Sequence, residues 1–310
     1  MHSGNQDTFY FFEPIEKIKI FIYNKLEEIN NNSEKLRLLF NNYSYILIQT
    51  TDKCRTELYE KLGFFKMDKS IFVLHNILTA KYMGISNYFK QNRLWCLGNF
   101  KNALQVNPHY FGNIKLKDKS SKTRFFITSS GGRNYNLLIS AANKLKKQNL
   151  DFEILVIGWT SIFSSYRIPK NLKENFIFKY KVSYHQLYQA VESCDYILII
   201  LDPNNRKDNL YKQFLASGSA QLTYGFSKPA LINKYFAHIY GMNSENSFLY
   251  ENYNFYNSMY DAINLNNRDY KKKQYNLIKL SNIIYERSLK NLQKTLKTIK
   301  GLKINKNFIY

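Results

Sequence analysis

Short apolar runs, too uniform to have a solvent-facing side, alternate with stretches of helical spacing along this chain. That alternation restricts it to an α/β architecture. Phe152-Glu153-Ile154-Leu155-Val156-Ile157-Gly158 and Tyr196-Ile197-Leu198-Ile199-Ile200-Leu201 are the plainest runs. A strand buried on both faces suits a parallel sheet covered by helices, and parallel neighbours need helical crossovers. Phe125-Phe126-Ile127-Thr128 opens the series and runs into Ser129-Ser130-Gly131-Gly132-Arg133-Asn134. A helix follows with Leu138, Ala141, Ala142 and Leu145 on one face. Asn175-Phe176-Ile177-Phe178-Lys179-Tyr180 reads as a further strand, and Ser183 caps a helix carrying Leu187 and Val191. Phe248-Leu249-Tyr250 is a last short strand. The expected result is a doubly wound domain with ligands at the carboxyl ends of its strands.

The earlier part of the chain shows the same rhythm less fully. Phe9-Tyr10-Phe11-Phe12, stopped by Pro14, fits an edge strand, and Ile18, Ile22, Leu26 and Ile29 recur at helical spacing. Ser33 can cap a second helix with Leu36, Leu39 and Phe40. Strands are expected at Tyr45-Ile46-Leu47-Ile48-Gln49 and Ile71-Phe72-Val73-Leu74-His75-Asn76. Between them Thr51 caps a helix that runs through Leu58 and stops at Gly63. After Asn76 the pattern loosens: residues 93–99 and 106–112 read as loop or linker pieces with aromatic anchors. The polar run from Lys115 to Lys122 marks the expected boundary, dividing the chain into 1–118, 119–268 and a helical tail 269–310. Leu289, Leu292, Leu296 and Ile299 form one stripe of that tail, which is long enough to leave its own domain and pack on the first.

The stretch from Ser217 to Ile232 bears most directly on function. Ser217-Gly218-Ser219 is a small-residue turn, a short helix runs to Gly225, and Pro229 begins a buried strand. Amides at such a helix start, with the helix dipole behind them, suit an anion such as a diphosphate. An ordinary βα turn without a ligand has the same composition.

Charge excludes less than its size suggests. The 310 residues carry 45 Lys and Arg against 23 Asp and Glu, a formal +22. The cations are mostly lysines dispersed among Asn, Ile and Tyr, and the glycine–aromatic motifs of base stacking are absent, so nucleic acid is not an expected partner. A diffuse basic balance suits an anionic membrane surface. No run approaches a membrane span, and the first residues lack the pattern of a signal peptide. Cys54, Cys96 and Cys194 are far apart and odd in number, neither a disulfide framework nor a metal set, which fits a reducing cytosol.

The succession from Phe125 to Tyr250 resembles the donor half of two-domain (GT-B) glycosyltransferases of the bacterial group 1 type. Ser129-Ser130-Gly131-Gly132-Arg133-Asn134 is similar to that family's first glycine loop with its phosphate-facing basic residue. Glu192-Ser193-Cys194-Asp195-Tyr196-Ile197-Leu198 resembles its segment of helix, aspartate and buried strand. Gly225-Phe226-Ser227-Lys228-Pro229-Ala230-Leu231-Ile232 resembles the glycine, lysine, proline and apolar strand that close the donor site. Val106-Asn107-Pro108-His109-Tyr110-Phe111-Gly112 is similar to a linker of polysaccharide-synthesis members. The likeness covers roughly 150 residues well and the first 90 poorly. Three departures mark a divergent branch. Leu222 stands where the second of two family glutamates is aligned; the first half is short, with about three strands expected; and Arg133 lacks an evident basic partner, with Lys179, Arg206 and Lys212 as candidates.

The resemblance implies two Rossmann-like domains and a glycosyltransferase moving a sugar from a nucleotide diphosphate sugar to a saccharide or lipid-linked acceptor in cell-surface glycan synthesis. Donor contacts are expected from Ser130, Gly131, Gly132, Arg133, Val182, Tyr184, Ser217, Gly218 and Ser219. Arg133 could equally be a solvated residue of a helix's first turn, and Ser183 a plain helix cap. His75 ends a strand and could act as base, although a lone histidine is often structural. There is no Asp-x-Asp motif, and Asp151-Phe152-Glu153 sits at the wrong end of a strand, so neither a metal nor a further cofactor is expected. The location implied is the cytoplasm or the inner membrane face. The competing expectation is a non-catalytic nucleotide-binding or scaffold protein derived from the same fold.

Overall fold

The computed structural model describes residues 34, 36, 38, 46–51, 56–100, 103–107, 116–129, 133–158 and 168–299. The edge strand at Phe9-Phe12, the helix through Ile18 and the cap at Ser33 lie outside these residues, as does Cys54. The chain divides into two compact units. The first comprises residues 1–108, 214–216 and 285–310, and the second 109–213 and 217–284.

The first unit is built on β1 (Ile46–Thr51), α1 (Thr56–Lys61), β2 (Ser70–Leu74), α2 (Leu78–Tyr82), β3 (Leu94–Cys96) and β4 (Leu104–Gln105). The strands form a parallel sheet in the order β1-β2-β3-β4. Among the described residues, two of these four strands, β3 and β4, were not expected, and residues 93–99 are not loop: Leu94-Trp95-Cys96 is a fully buried strand. Three residues cannot display a period, and turn-like neighbours flank them, Asn92 at φ 56 on one side and Gly98 on the other. Arg93 anchors the strand's start, buried at 4% exposure, with its Nε–H donating to Ser70 O at 2.8 Å and its guanidinium 4.2 Å above the Tyr88 ring.

Strand alternation gives this sheet two faces. Phe72, Leu74, Ile48 and Leu94 pack with Tyr59, Phe64 and Tyr88 on one. Ile71 and Trp95 pack with Ile299 on the other. Residues 214–216 belong here too: Leu215 bridges Asn76 in antiparallel sense, and the Ala216 N–H donates to His75 O at 3.0 Å.

The second unit contains β5 (Thr123–Ser129), α3 (Tyr135–Lys147), β6 (Phe152–Gly158), β7 (Phe176–Tyr180), α4 (Tyr184–Ser193), β8 (Tyr196–Ile199), α5 (Gly218–Phe226), β9 (Ala230–Asn233), α6 (Lys234–Ala237), β10 (Phe248–Tyr250) and α7 (Phe255–Asn264). Its six strands are parallel and lie in the order β10-β9-β8-β5-β6-β7. Counted from β5, this is the doubly wound order 3-2-1-4-5-6. The chain reverses direction between β5 and β8, so a crevice opens at their carboxyl ends. One sheet face packs Phe125, Ile127, Ile154, Val156 and Leu198 under α3 and α7. The other packs Phe126, Leu155, Ile197, Ile199 and Ile232 under α4 and α5.

The last element, α8 (Asn267–Thr298), is 32 residues long. Its residues up to Ile284 belong to the second unit and those from Tyr285 to the first. The division therefore differs from the expected 118/119 break and separate 269–310 tail. Lys115–Lys122 reads as a linker by composition, but its later half is tied into the second unit. The Lys117 N–H donates to Gln274 Oε1 at 3.1 Å and the Lys119 N–H to Asn267 Oδ1 at 2.9 Å. Of the expected stripe, Ile299 is buried and Leu292 packs beside it in the cluster of Ile71 and Trp95, while Leu289 and Leu296 are half-buried. The buried positions within α8 are Tyr270, Gln274, Leu277, Ser281, Ile284, Ser288 and Thr295, four of the seven polar. Each buried polar group has work to do: Thr295 Oγ1 accepts from Trp95 Nε1–H at 2.8 Å and donates to Asn92 O at 2.7 Å.

At the amino ends of the strands Lys228 is buried at 4% exposure and donates to Glu192 O, a terminal carbonyl of α4, at 2.9 Å. Burial, with the Lys117 ammonium second, pulls its pKa from 10.5 down to about 8. Between those values the unfolded chain binds a proton that the folded chain has released, so this group makes stability rise with pH. Wild type should gain about 2 kcal/mol over Lys228→Met between pH 7 and pH 9.5, read from urea unfolding of both. Parallel pH profiles for the two proteins would refute it. Cys96 and Cys194 are buried, and desolvation pushes both thiols up to about 12, which makes them inert packing groups.

Candidate functional site

The crevice predicted by strand order is present in the second unit. A small pocket is lined by Ile127 and Thr128 from β5, Arg133 before α3, Leu198–Leu201 at the end of β8, and Ser217 and Ser219 at the start of α5. Thr128 Oγ1 lies 3.1 Å from Ser219 Oγ, which joins the β5 end to the α5 start. Ser217 is the α5 N-cap, its Oγ accepting from Ala220 N–H at 3.4 Å. A Cβ built on Gly218 would meet nothing within 4 Å, so the approach to this helix start is open. The first amides of a nine-residue helix thus face a polar recess, the arrangement that holds anions.

A second pocket of ≈ 220 Å³ adjoins the first through Thr128 and is lined by Ile157, Gly158, Lys181, Val182, Ser183, Tyr184 and Leu187. Lys181 adopts a left-handed φ of 52, and its N–H donates to Gly158 O at 3.1 Å, which turns the chain sharply out of β7. Ser183 then caps α4 through a full capping box with Gln186. Its hydroxyl is occupied there, leaving backbone and the Tyr184 ring to line the pocket. Tyr184 is 37% exposed and packs 6.1 Å from Tyr188, which in turn lies 5.7 Å from Phe226.

Arg133 is neither solvated nor in the first turn of the helix. It precedes the α3 N-cap, Asn134, and forms an ion pair with Asp208. Its Nη2–H donates to Tyr211 OH at 2.9 Å, and its guanidinium lies 4.8 Å above the Tyr211 ring. Asp208 is 3% exposed, and desolvation pushes its pKa up. Its second oxygen accepts from the Asp202 N–H at 2.9 Å. Asp202 accepts from Asn134 Nδ2 at 3.2 Å and Asn252 Nδ2 at 2.8 Å, which ties three loops into one rim. Asp202, Asp208 and Tyr211 were missed in the sequence. The residues 203–212 carry no periodic signal, and only the fold brings them beside Arg133.

Of the other expected residues, Ser130, Gly131 and Gly132 lie outside the described residues. Leu222 is 7% exposed inside the apolar core of α5, so no carboxylate reaches the crevice from that position. The helix does not stop at Gly225: it continues to Phe226, and the left-handed residue that ends it is Ser227, at φ 48. Gly225 sits buried within the helix instead. Among the candidate partners for Arg133, Lys179 and Arg206 are exposed, and Lys212 donates to Tyr235 OH at 3.0 Å. His75 belongs to the first unit, directly after β2; the residue is exposed, and desolvation lowers its imidazole pKa from 6.5. Among the described residues no group of three or more His, Cys, Asp or Glu side chains could hold a metal ion.

No family model and no curated protein matches this sequence. Solved structures match its fold. A TarM variant of S. aureus, in complex with Fondaparinux, alpha-GlcNAc-glycerol and UDP, superposes with a TM-score of 0.59 at 14% identity, over 87% of this chain and 59% of that one. A glycosyltransferase from Rickettsia africae gives 0.56 at 14% identity, over 92% and 85%. The glycosylation-associated Gap123 complex of Streptococcus agalactiae gives 0.55 at 13% identity, over 92% and 61%. The chain spans about three fifths of the length of the TarM and Gap123 chains. The architecture is therefore the GT-B pair of Rossmann-like units, with a short first unit.

Proposed function

We propose that the protein is a glycosyltransferase that moves a sugar from a nucleotide diphosphate sugar to a saccharide or lipid-linked acceptor in surface glycan synthesis. The observation that carries this reading is the pair of pockets joined at Thr128, at the switch point of a 3-2-1-4-5-6 sheet. The α5 amides, Ser217 and Ser219 suit the diphosphate, and the pocket of Val182 and Tyr184 suits the nucleoside. A TarM structure holding UDP on a similar fold supports the assignment. In this reading the leaving diphosphate is stabilised by fixed dipoles and Arg133, without metal or further cofactor. A screen of UDP, GDP, CDP and ADP by thermal shift tests it: one of them should raise the melting temperature, and Arg133→Ala should remove that rise. No shift with any of the four sinks the reading.

His75 is proposed as the acceptor-side base. Its lowered pKa leaves the ring neutral at pH 7, able to take the proton of an acceptor hydroxyl. His75→Ala should lower kcat/KM by about a hundredfold or more while leaving the nucleotide melting shift intact. The acid limb of the wild-type pH–rate profile should lie on the acidic side of a free imidazole's. An unchanged rate for the variant would return His75 to a structural role.

A second reading, a non-catalytic donor-fold protein, is favoured by two observations. Arg133 is already charge-compensated by Asp208, and Leu222 supplies no carboxylate. Nucleotide binding without turnover of any nucleotide-sugar would select it.

A further inference from the structure

We propose that the outward face of α8 is a docking surface for an anionic lipid bilayer. The inference goes beyond the transferase reading and does not need the donor pocket. Lys272, Lys279, Lys290 and Lys297 are all exposed. Their intervals of seven, eleven and seven residues are close to whole numbers of helical turns, so they fall in one row along about 38 Å of helix. Ile283, 53% exposed, stands in the same row, and Tyr275, 51% exposed, stands beside it. The opposite side of the helix is the buried stripe of Tyr270, Gln274 and Leu277.

Among the described residues none of the four lysines is ion-paired, and Lys279 Nζ lies 4.4 Å above the Tyr275 ring. Glu286 is the one acid on this face. The face thus carries four cations against one acid, with two large apolar side chains that the fold leaves in water. A helix with that pattern gains twice at an anionic bilayer. Its ammonium groups meet headgroup phosphates, and its tyrosine ring and aliphatic side chain enter the acyl boundary between them. Long lysine stems let both happen at one depth. Ile283 decides against nucleic acid, because an isoleucine offers nothing to a phosphate backbone and has no flat face for a base. Among the described residues no helix is long and apolar enough to cross a membrane, so α8 would lie on the surface.

Co-sedimentation of the full chain with vesicles tests the surface, at physiological ionic strength. The wild type should bind vesicles of equal parts phosphatidylcholine and phosphatidylglycerol and ignore pure phosphatidylcholine. Changing Lys272→Glu, Lys279→Glu, Lys290→Glu and Lys297→Glu together should lower the partition at least about a hundredfold, since each lysine is worth about fivefold. Tyr275→Ser with Ile283→Ser removes no core side chain and should leave a residual binding that salt abolishes. It keeps the test decisive if the charge variant does not fold. A wild type indifferent to anionic vesicles, or variants that bind as the wild type does, would overturn the proposal. Capture of duplex RNA in preference to vesicles, lost in the charge variant, would assign the face to nucleic acid instead. The nucleotide melting shift is a separate readout and should survive in both variants.

Discussion

Asparagine in place of Asp208 should tighten nucleoside diphosphate binding by about tenfold, about 1.4 kcal/mol, while Arg133→Ala abolishes it. The Asp208 carboxylate is buried and holds one arm of the Arg133 guanidinium. An incoming diphosphate must share that cation and also meets the carboxylate's own charge at short range in a partly desolvated recess. Repulsion between unit charges at about 6 Å, with an effective dielectric of about 20, is worth about 3 kcal/mol. Some of the gain is lost as the guanidinium reorients, hence the smaller net figure. Asparagine keeps an oxygen for the Asp202 N–H, so the loop over residues 202–208 retains its closure. Titration calorimetry with the nucleotide that shifts the melting temperature gives the ratio directly. If Asp208→Asn weakens binding as Arg133→Ala does, Asp208 orients the arginine rather than competing for it.

Asp195→Ala should cost about 2 kcal/mol of stability without changing nucleotide affinity. The carboxylate is 2% exposed, and its Oδ1 accepts from Ser120 N–H at 2.9 Å and Ser120 Oγ–H at 3.0 Å, its Oδ2 from Arg124 N–H at 2.8 Å. Removing it leaves the half-buried Arg124 N–H without its acceptor and hands the exposed Ser120 donors to water. The Asp195 carbonyl, which accepts from Tyr270 OH at 2.9 Å, is untouched by the substitution. Asp195 stands at the amino end of β8, the edge of the sheet away from the pockets. Urea unfolding should therefore show a lower midpoint at constant slope, with the nucleotide shift preserved. A loss under about 1 kcal/mol would mean that Gln274 and Asn267 alone hold residues 116–124 in place.

The residues that were legible in the sequence are those whose environment is uniform. Strands buried on both faces, β6 and β8, announce themselves as apolar runs, and with their helices they dictate the doubly wound sheet and the edge at which its crevice opens. Ser217 and Ser219 followed from small residues at a helix start. What escaped depended on partners remote in sequence. β3 is too short to show a period. The α8 stripe uses Gln274, Ser281, Ser288 and Thr295 because neighbouring chain offers them hydrogen bonds, which a count of leucines does not register. The helix end was assigned to Gly225, since glycine is the residue at ease in the left-handed region, yet Ser227 occupies it. Asp208 has no motif; only the return of the chain after β8 brings it to Arg133.

The division of α8 between the two units bears on synthesis. Trp95 waits for Thr295, its hydrogen-bond partner 200 residues later, and Ile71 for Ile299. At about 5–20 residues per second, Trp95 and Ile71 wait about 10–40 seconds on the ribosome for these two contacts. The second unit closes sooner, needing the chain only as far as Ile284. The order of completion is thus the reverse of the order of translation, and among the described residues the Trp95 side of the first sheet is the last to gain its contacts.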